Sequence, residues 1–287
     1  MSATRDGVAR FEQLFSQLEE KKEGAFVPFI MLNDPTPDAS LEIIRTVVNA
    51  GADALELGVP FSDPVADGPT IQGSHLRALD GGATVDGALN LVRQIREEFP
   101  DTPLGMLIYG NVPFTRGLDT FYEEFGAAGA DAILLPDVPV REGAPFAAAA
   151  EKAGVAPVFI APARATERTL EGVAKYSKGY IYAVSRDGVT GTEVESDTLG
   201  LDEVVANIHR YNGAPALLGF GISTPEHVAD AVAAGAAGAI TGSAITKIVD
   251  RYVSRETEDS PGAITDLDAL KQEITDYVSQ MKAATKK

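Results

Sequence analysis

Apolar runs of seven or eight residues recur along the chain, separated by longer stretches that mix apolar and polar positions at helical spacing. The runs are FVPFIML (26–32), ALELGVP (54–60), PLGMLIYG (103–110), AILLPDV (132–138), APVFIAP (156–162), GYIYAVSR (179–186), PALLGFGI (215–222) and GAITGSA (238–244). Near-continuous apolar strands divided by helices predict a parallel sheet covered by helices. Eight such units predict an α/β fold of the (β/α)8 TIM-barrel type, with an open doubly wound sheet as the other arrangement the pattern allows.

Helix punctuation agrees with this count. Thr36-Pro37 and Thr224-Pro225 read as an N-cap followed by proline at the first helical position, and Gly51 and Gly235 fall where helices should stop. AGADALELG, AGADAILLP and AGAAGAITG form an internal echo, each leading from a helix end into a strand. A further helix is expected before strand 1, around residues 6–22. After the last barrel helix a polar stretch, RETEDSPG (255–262), leads into a final helix of about residues 264–284. No linker divides the sequence, so one domain is expected over 1–287, with 1–24 carrying the first helix and 255–287 the polar tail and last helix.

One strand breaks the apolar rule. Side chains alternate between faces along a strand, so Ala54, Glu56 and Gly58 share one face while Leu55, Leu57 and Val59 share the other. In a barrel the leucine face packs on helices, which turns Glu56 into the interior between two small residues. Its place near the C-terminal end of the strand is where barrel enzymes keep their chemistry. A carboxyl there is either a structural partner for an arginine or an acid whose pKa burial raises until it can exchange a proton near neutral pH. Asp67 follows in the loop, before Gly68-Pro69; like Asp34-Pro35 and Asp63-Pro64, it could equally be a turn former.

Composition narrows the chemistry. Of the 287 residues, 45% are hydrophobic, enough for a sizeable core, and no run approaches the roughly 18 apolar residues of a membrane span. The start resembles no signal peptide, so a cytoplasmic protein is expected. A formal charge of −18 argues against nucleic acid as a partner and fits either an ordinary acidic surface or one suited to concentrated salt. The sequence has no cysteine, which removes thiol nucleophiles and thiolate metal sites. The lysines avoid the strand candidates, against a Schiff-base lysine in the barrel. His75, His209 and His227 lie on separate helix-like segments without metal-ligand spacing and are read as surface or helix-packing residues.

Two glycine-bearing segments, Gly219-Phe220-Gly221-Ile222-Ser223 after strand 7 and Thr241-Gly242-Ser243-Ala244 after strand 8, stand where barrels often bind phosphate. Loop 6, residues 186–193, is long enough for a lid or is simply a connection.

At this point the residues resemble a family. LELGVPFSDPVADGPTIQ is similar to the signature of the tryptophan synthase α subunit, and the likeness runs from GAFVPF (24–29) through NVPF (111–114), LLPDVPVRE (134–142), YIYAVSRDGVTG (180–191) and GFGIS (219–223) to TGSAI (241–245). The resemblance implies cleavage of indole-3-glycerol phosphate to indole and glyceraldehyde 3-phosphate, a retro-aldol step, with Glu56 and Asp67 as the catalytic pair. It places Tyr182 beside the glutamate and makes Thr190 the lid residue that orients Asp67. It also puts Phe29, Leu107, Leu134 and Phe220 around the indole, and Gly191, Gly221, Gly242 and Ser243 around the phosphate. Asn33 stands where the family often has glycine before Asp-Pro, and asparagine tolerates the same turn.

The resemblance further implies an α2β2 assembly with a β subunit that carries pyridoxal phosphate, this chain holding no cofactor. Loop 2, Asn111 and Asp137-Val138-Pro139 would face that partner. A stand-alone lyase, or a non-catalytic sugar-phosphate-binding barrel that regulates a partner, would use the same scaffold.

Overall fold

The computed structural model describes residues 6–184, 201–255, 257 and 260–287. Among the described residues nine strands join in one parallel sheet: β1 (Ala25–Met31), β2 (Leu55–Gly58), β3 (Leu104–Leu107), β4 (Ala132–Leu134), β5 (Ala156–Val158), β6 (Ile160–Ala161), β7 (Ile181–Val184), β8 (Ala216–Gly219) and β9 (Gly238–Thr241). Their order is β5-β4-β3-β2-β1-β9-β8-β7-β6. The two ends of that order, β5 and β6, are halves of one apolar run broken at Phe159, so the sheet curls into a nearly closed eight-position barrel. The open doubly wound alternative is thereby excluded.

Helices α2 (Pro37–Asn49), α3 (Pro69–Asp80), α4 (Val85–Glu98), α5 (Asn111–Arg116), α6 (Leu118–Ala128), α7 (Gly143–Lys152), α8 (Glu167–Tyr176), α9 (Leu201–Arg210), α10 (Pro225–Ala233) and α11 (Ser243–Arg251) surround it. Thr36 and Thr224 cap α2 and α10, their hydroxyls accepting from the Ala39 and His227 amides ahead of Pro37 and Pro225. No described helix is long and apolar enough to cross a membrane.

The alternation of side chains splits the core in two. Leu55, Leu57 and Val59 join the outer cluster between strands and helices, while Ala54 joins Val27, Phe29, Leu107, Tyr180 and Tyr182 in the barrel interior. The N-terminal helix α1 (Gly7–Lys21) closes the bottom of that interior: Phe11 is 1% exposed and its ring centroid lies 5.1 Å from that of Tyr180.

The internal echo has a structural cause. Gly51, Gly129 and Gly235 end their helices with φ of +109°, +120° and +92°, values that glycine adopts without strain. Two residues later Asp53 and Asp131 accept the amides of Phe26 and Leu104, each at 2.8 Å, tying the start of one strand to the approach of the next. Asp131 also binds Arg96 at 2.6 Å and pairs with Arg10 of α1.

The acidic tail departs from expectation. Its polar stretch is bracketed by a short antiparallel ribbon, β10 (Val253–Ser254) and β11 (Ala263–Ile264), ahead of α12 (Leu267–Ala283), which packs along α2. A Cβ on Gly262 would fall 2.6 Å from Val253 and 3.0 Å from Pro35, so the ribbon folds closely onto the β1–α2 loop.

Candidate active site

Across the barrel interior, Phe29, Glu56, Gly105, Ala132 and Ala156 lie in register on adjacent strands. Glu56 is therefore flanked by a large ring on one side and by no side chain on the other. Gly105 cannot grow: a Cβ there would meet the Tyr180 hydroxyl at 2.9 Å. That hydroxyl reaches into the space and donates to Glu56 Oε1 at 3.0 Å. Glu56 is 1% exposed, and burial pushes its carboxyl up to about 8, with the Tyr180 hydrogen bond opposing and the nearby Asp67 charge adding to the rise. Among the described residues no arginine pairs with it.

Asp67, at the end of the loop after β2, is 4% exposed. The Tyr109 hydroxyl donates to its Oδ2 at 2.7 Å while accepting the Ala66 amide at 3.1 Å. Its backbone carbonyl accepts Gln72 Nε2 at 2.7 Å from the first turns of α3. His75, on the buried face of α3, stands 3.3 Å from the same Oδ2 through Nε2.

Both carboxylates open on one cavity at the C-terminal end of the strands, lined also by Phe29, Ile71, Leu107, Tyr182 and Phe220. Tyr182 lies close enough to both that burial, then Glu56 and Asp67, push its phenol well above its ordinary range. Its ring needs Gly219 bare, since a Cβ there would lie 2.2 Å away.

At the far side Gly221, Gly242 and Ser243 line the wall. Phe220 and Gly221 both have positive φ, +63° and +75°, which turns the backbone after β8 toward the cavity. Gly242 precedes α11, whose first-turn amides and dipole suit an anion. A room with an apolar middle, a carboxyl poised to exchange a proton, a second carboxylate and an anion cradle fits an aromatic phosphate ester. Among the described residues no group of three or more histidines and carboxylates is placed to hold a metal ion.

Most of the expected positions meet here, with exceptions. Leu134 is buried in the interior cluster beside Leu107 but does not line the cavity. Thr190 and Gly191 lie outside the described residues. Asn33 takes the left-handed turn expected of it, with φ +64°.

Three groups at the site escaped the sequence reading. Tyr180, not Tyr182, makes the hydrogen bond to Glu56. Tyr109 holds Asp67. His75, read as a surface or helix-packing residue, is fully buried against Asp67. For His75 a signal existed: Ile71, His75 and Ala78 recur at i, i+4 and i+7 on an inward face.

The geometry agrees with the comparisons. A model of the tryptophan synthase alpha chain family matches residues 15–279. The tryptophan synthase alpha chain of Corynebacterium aurimucosum is 71% identical over 279 residues, covering 97% of this chain and 99% of that protein. Among solved structures, tryptophan synthase subunit alpha from Legionella pneumophila superposes with a TM-score of 0.82 at 29% identity, covering 96% of this chain and 98% of its own. The tryptophan synthase complex of Pyrococcus furiosus contains a chain matching with a TM-score of 0.77 at 29% identity, over 91% of this chain and 98% of its own. With one family model spanning nearly the whole barrel and a relative this similar end to end, the chain belongs to the tryptophan synthase alpha chain family.

Proposed function

We propose that Glu56 and Asp67 carry out the lyase reaction of this family, cleavage of indole-3-glycerol phosphate to indole and glyceraldehyde 3-phosphate. The observation that carries the assignment is the buried Glu56 carboxyl, held up at about 8 and so protonated at neutral pH, on the same cavity as a second carboxylate. Glu56 gives its proton to indole C3, and positive charge spreads to the ring nitrogen, whose N–H donates to Asp67. The glycerol hydroxyl next to the ring then returns a proton to Glu56. Its O–H electrons become the aldehyde C=O, the C–C bond breaks, and that pair restores the indole double bond. Glu56 ends as it began. Phe29, Leu107 and Phe220 hold the ring; Gly221, Gly242 and Ser243 hold the phosphate, and by resemblance alone Gly191 joins that cradle and Thr190 is the lid residue that orients Asp67.

The test is indole release by the wild-type protein, with and without a β subunit. Because the chain carries −18 and the substrate is an anion, long-range repulsion should weaken as salt rises, so KM is expected to fall from low to molar KCl. No release in either setting would refute the assignment.

We also propose that the chain works in an α2β2 assembly, with pyridoxal phosphate carried by the β partner and no cofactor here. Support comes from the exposed apolar side chains around the mouth of the barrel, Phe114 at 86% and Val65 at 73%, on the β3–α6 and β2–α3 connections. Gly110 donates to Asp137 Oδ1 at 2.8 Å, joining that rim to the Asp137-Val138 turn. Replacing Phe114 with aspartate should weaken β-subunit binding by about 30-fold, roughly 2 kcal/mol, and leave indole release by the isolated chain unchanged. Calorimetric titration checks the first and a steady-state assay the second.

A further inference from the structure

We propose that His75 is a positioning residue that sets the orientation of the Asp67 carboxylate; the inference rests on the catalytic reading of Asp67 given above. His75 is 0% exposed and the reaction as derived does not use it, although a buried imidazole is expensive to keep without a task. Its two nitrogens face different partners. Nδ1 lies 2.9 Å from the Phe61 amide nitrogen, which can only donate, so Nδ1 is the acceptor and carries no hydrogen. The ring hydrogen is therefore on Nε2, aimed at Asp67 Oδ2 at 3.3 Å.

The ring thus spans the loop after β2, accepting from Phe61 near its start and donating to Asp67 at its end. Tyr109 completes the clamp. It donates to the same Oδ2 at 2.7 Å, stacks on Phe61 with centroids 5.1 Å apart, and meets the imidazole edge-on at 6.1 Å. Two donors from different segments, the connection after β3 and helix α3, converge on one oxygen and fix the plane of the carboxylate. An indole N–H then meets a carboxylate already turned to receive it, which is the form of preorganisation that lowers a barrier without tightening substrate binding.

Two substitutions separate the two bonds. Asparagine in H75N can replace Nδ1 toward the Phe61 amide but is too short to reach Asp67. Glutamine in H75Q can present an amide N–H near the Nε2 position. H75N is expected to lower kcat about tenfold, the worth of one hydrogen bond to a charged group, with KM within about twofold of the wild type. H75Q is expected to recover most of that loss. An active wild type whose H75N variant keeps its kcat, or in which H75Q is the more damaged of the two, would overturn the role and leave His75 as an anchor of the loop. A wild type that releases no indole with or without the β subunit would overturn the catalytic reading and this role together. Should H75N fail to fold, the nitrogen-15 spectrum of the wild-type imidazole decides: a hydrogen on Nε2 supports the proposal, and one on Nδ1 overturns it.

Discussion

Glu56→Gln is expected to lower kcat for indole release by about 10^3-fold while leaving KM nearly unchanged, because the amide keeps the shape of the site and loses its exchangeable proton. The same variant should be the more stable protein in mild alkali. Burial holds the Glu56 carboxyl at about 8, against 4.5 when unperturbed. Between those two values the folded chain binds a proton that the unfolded chain has released, so wild-type stability falls by about 1.4 kcal/mol per pH unit as pH rises. Below the lower value both states are protonated, and above the upper one both are ionised, so the difference levels off. Urea unfolding of wild type and variant at pH 5, 6.5 and 8 should show the gap widening in favour of glutamine. A constant gap would mean that the folded carboxyl titrates like an exposed one.

The largest loss of stability is expected from Arg77→Met. Arg77 is 6% exposed, clasps Asp34 with two hydrogen bonds of 2.9 and 2.8 Å, and reaches Asp250 at 2.5 Å. It thereby ties α3 to the β1–α2 loop and to α11. Removing the guanidinium leaves Asp34, 5% exposed, as an uncompensated buried charge, a loss of about 3–5 kcal/mol. Adding Asp34→Asn should return a good part of it, because the remaining partner then no longer needs a counter-charge. Chemical denaturation of the two single variants and the double variant measures the coupling; independent, additive losses would show that the pair contributes little as a pair.

The strands and their faces could be read from the sequence because the barrel uses two simple periods. Leu134 and Ile240 occupy, in the echo of AGADALELG, the same place as Glu56, so the interior position that elsewhere takes an aliphatic side chain holds a carboxyl here. That mismatch between residue and position made Glu56 visible. Tyr180 and Tyr109 stayed hidden because a tyrosine in an apolar run looks like core, and what distinguishes it is where the hydroxyl ends, a matter of contacts with carboxylates 124 and 42 residues away in sequence. His75 stayed hidden because spacing among histidines was the signal sought, whereas its partners are a backbone amide and an aspartate. The tail ribbon is two residues per strand, too short for any periodicity to register.

The helix that closes the bottom of the barrel has a bearing on the proton at the top. Phe11 sits under Tyr180, and Tyr180 in turn touches Glu56, so the first helix of the chain is the insulation on the underside of the acid. A water admitted from below would solvate the carboxylate and lower the affinity for its proton, as any route to bulk solvent does for a buried charge. Trimming α1, or fusing a bulky partner that pulls it away, would therefore be felt as a change in the acidity of a residue on a different strand, and the far end of the barrel belongs to the electrostatic boundary of the reaction.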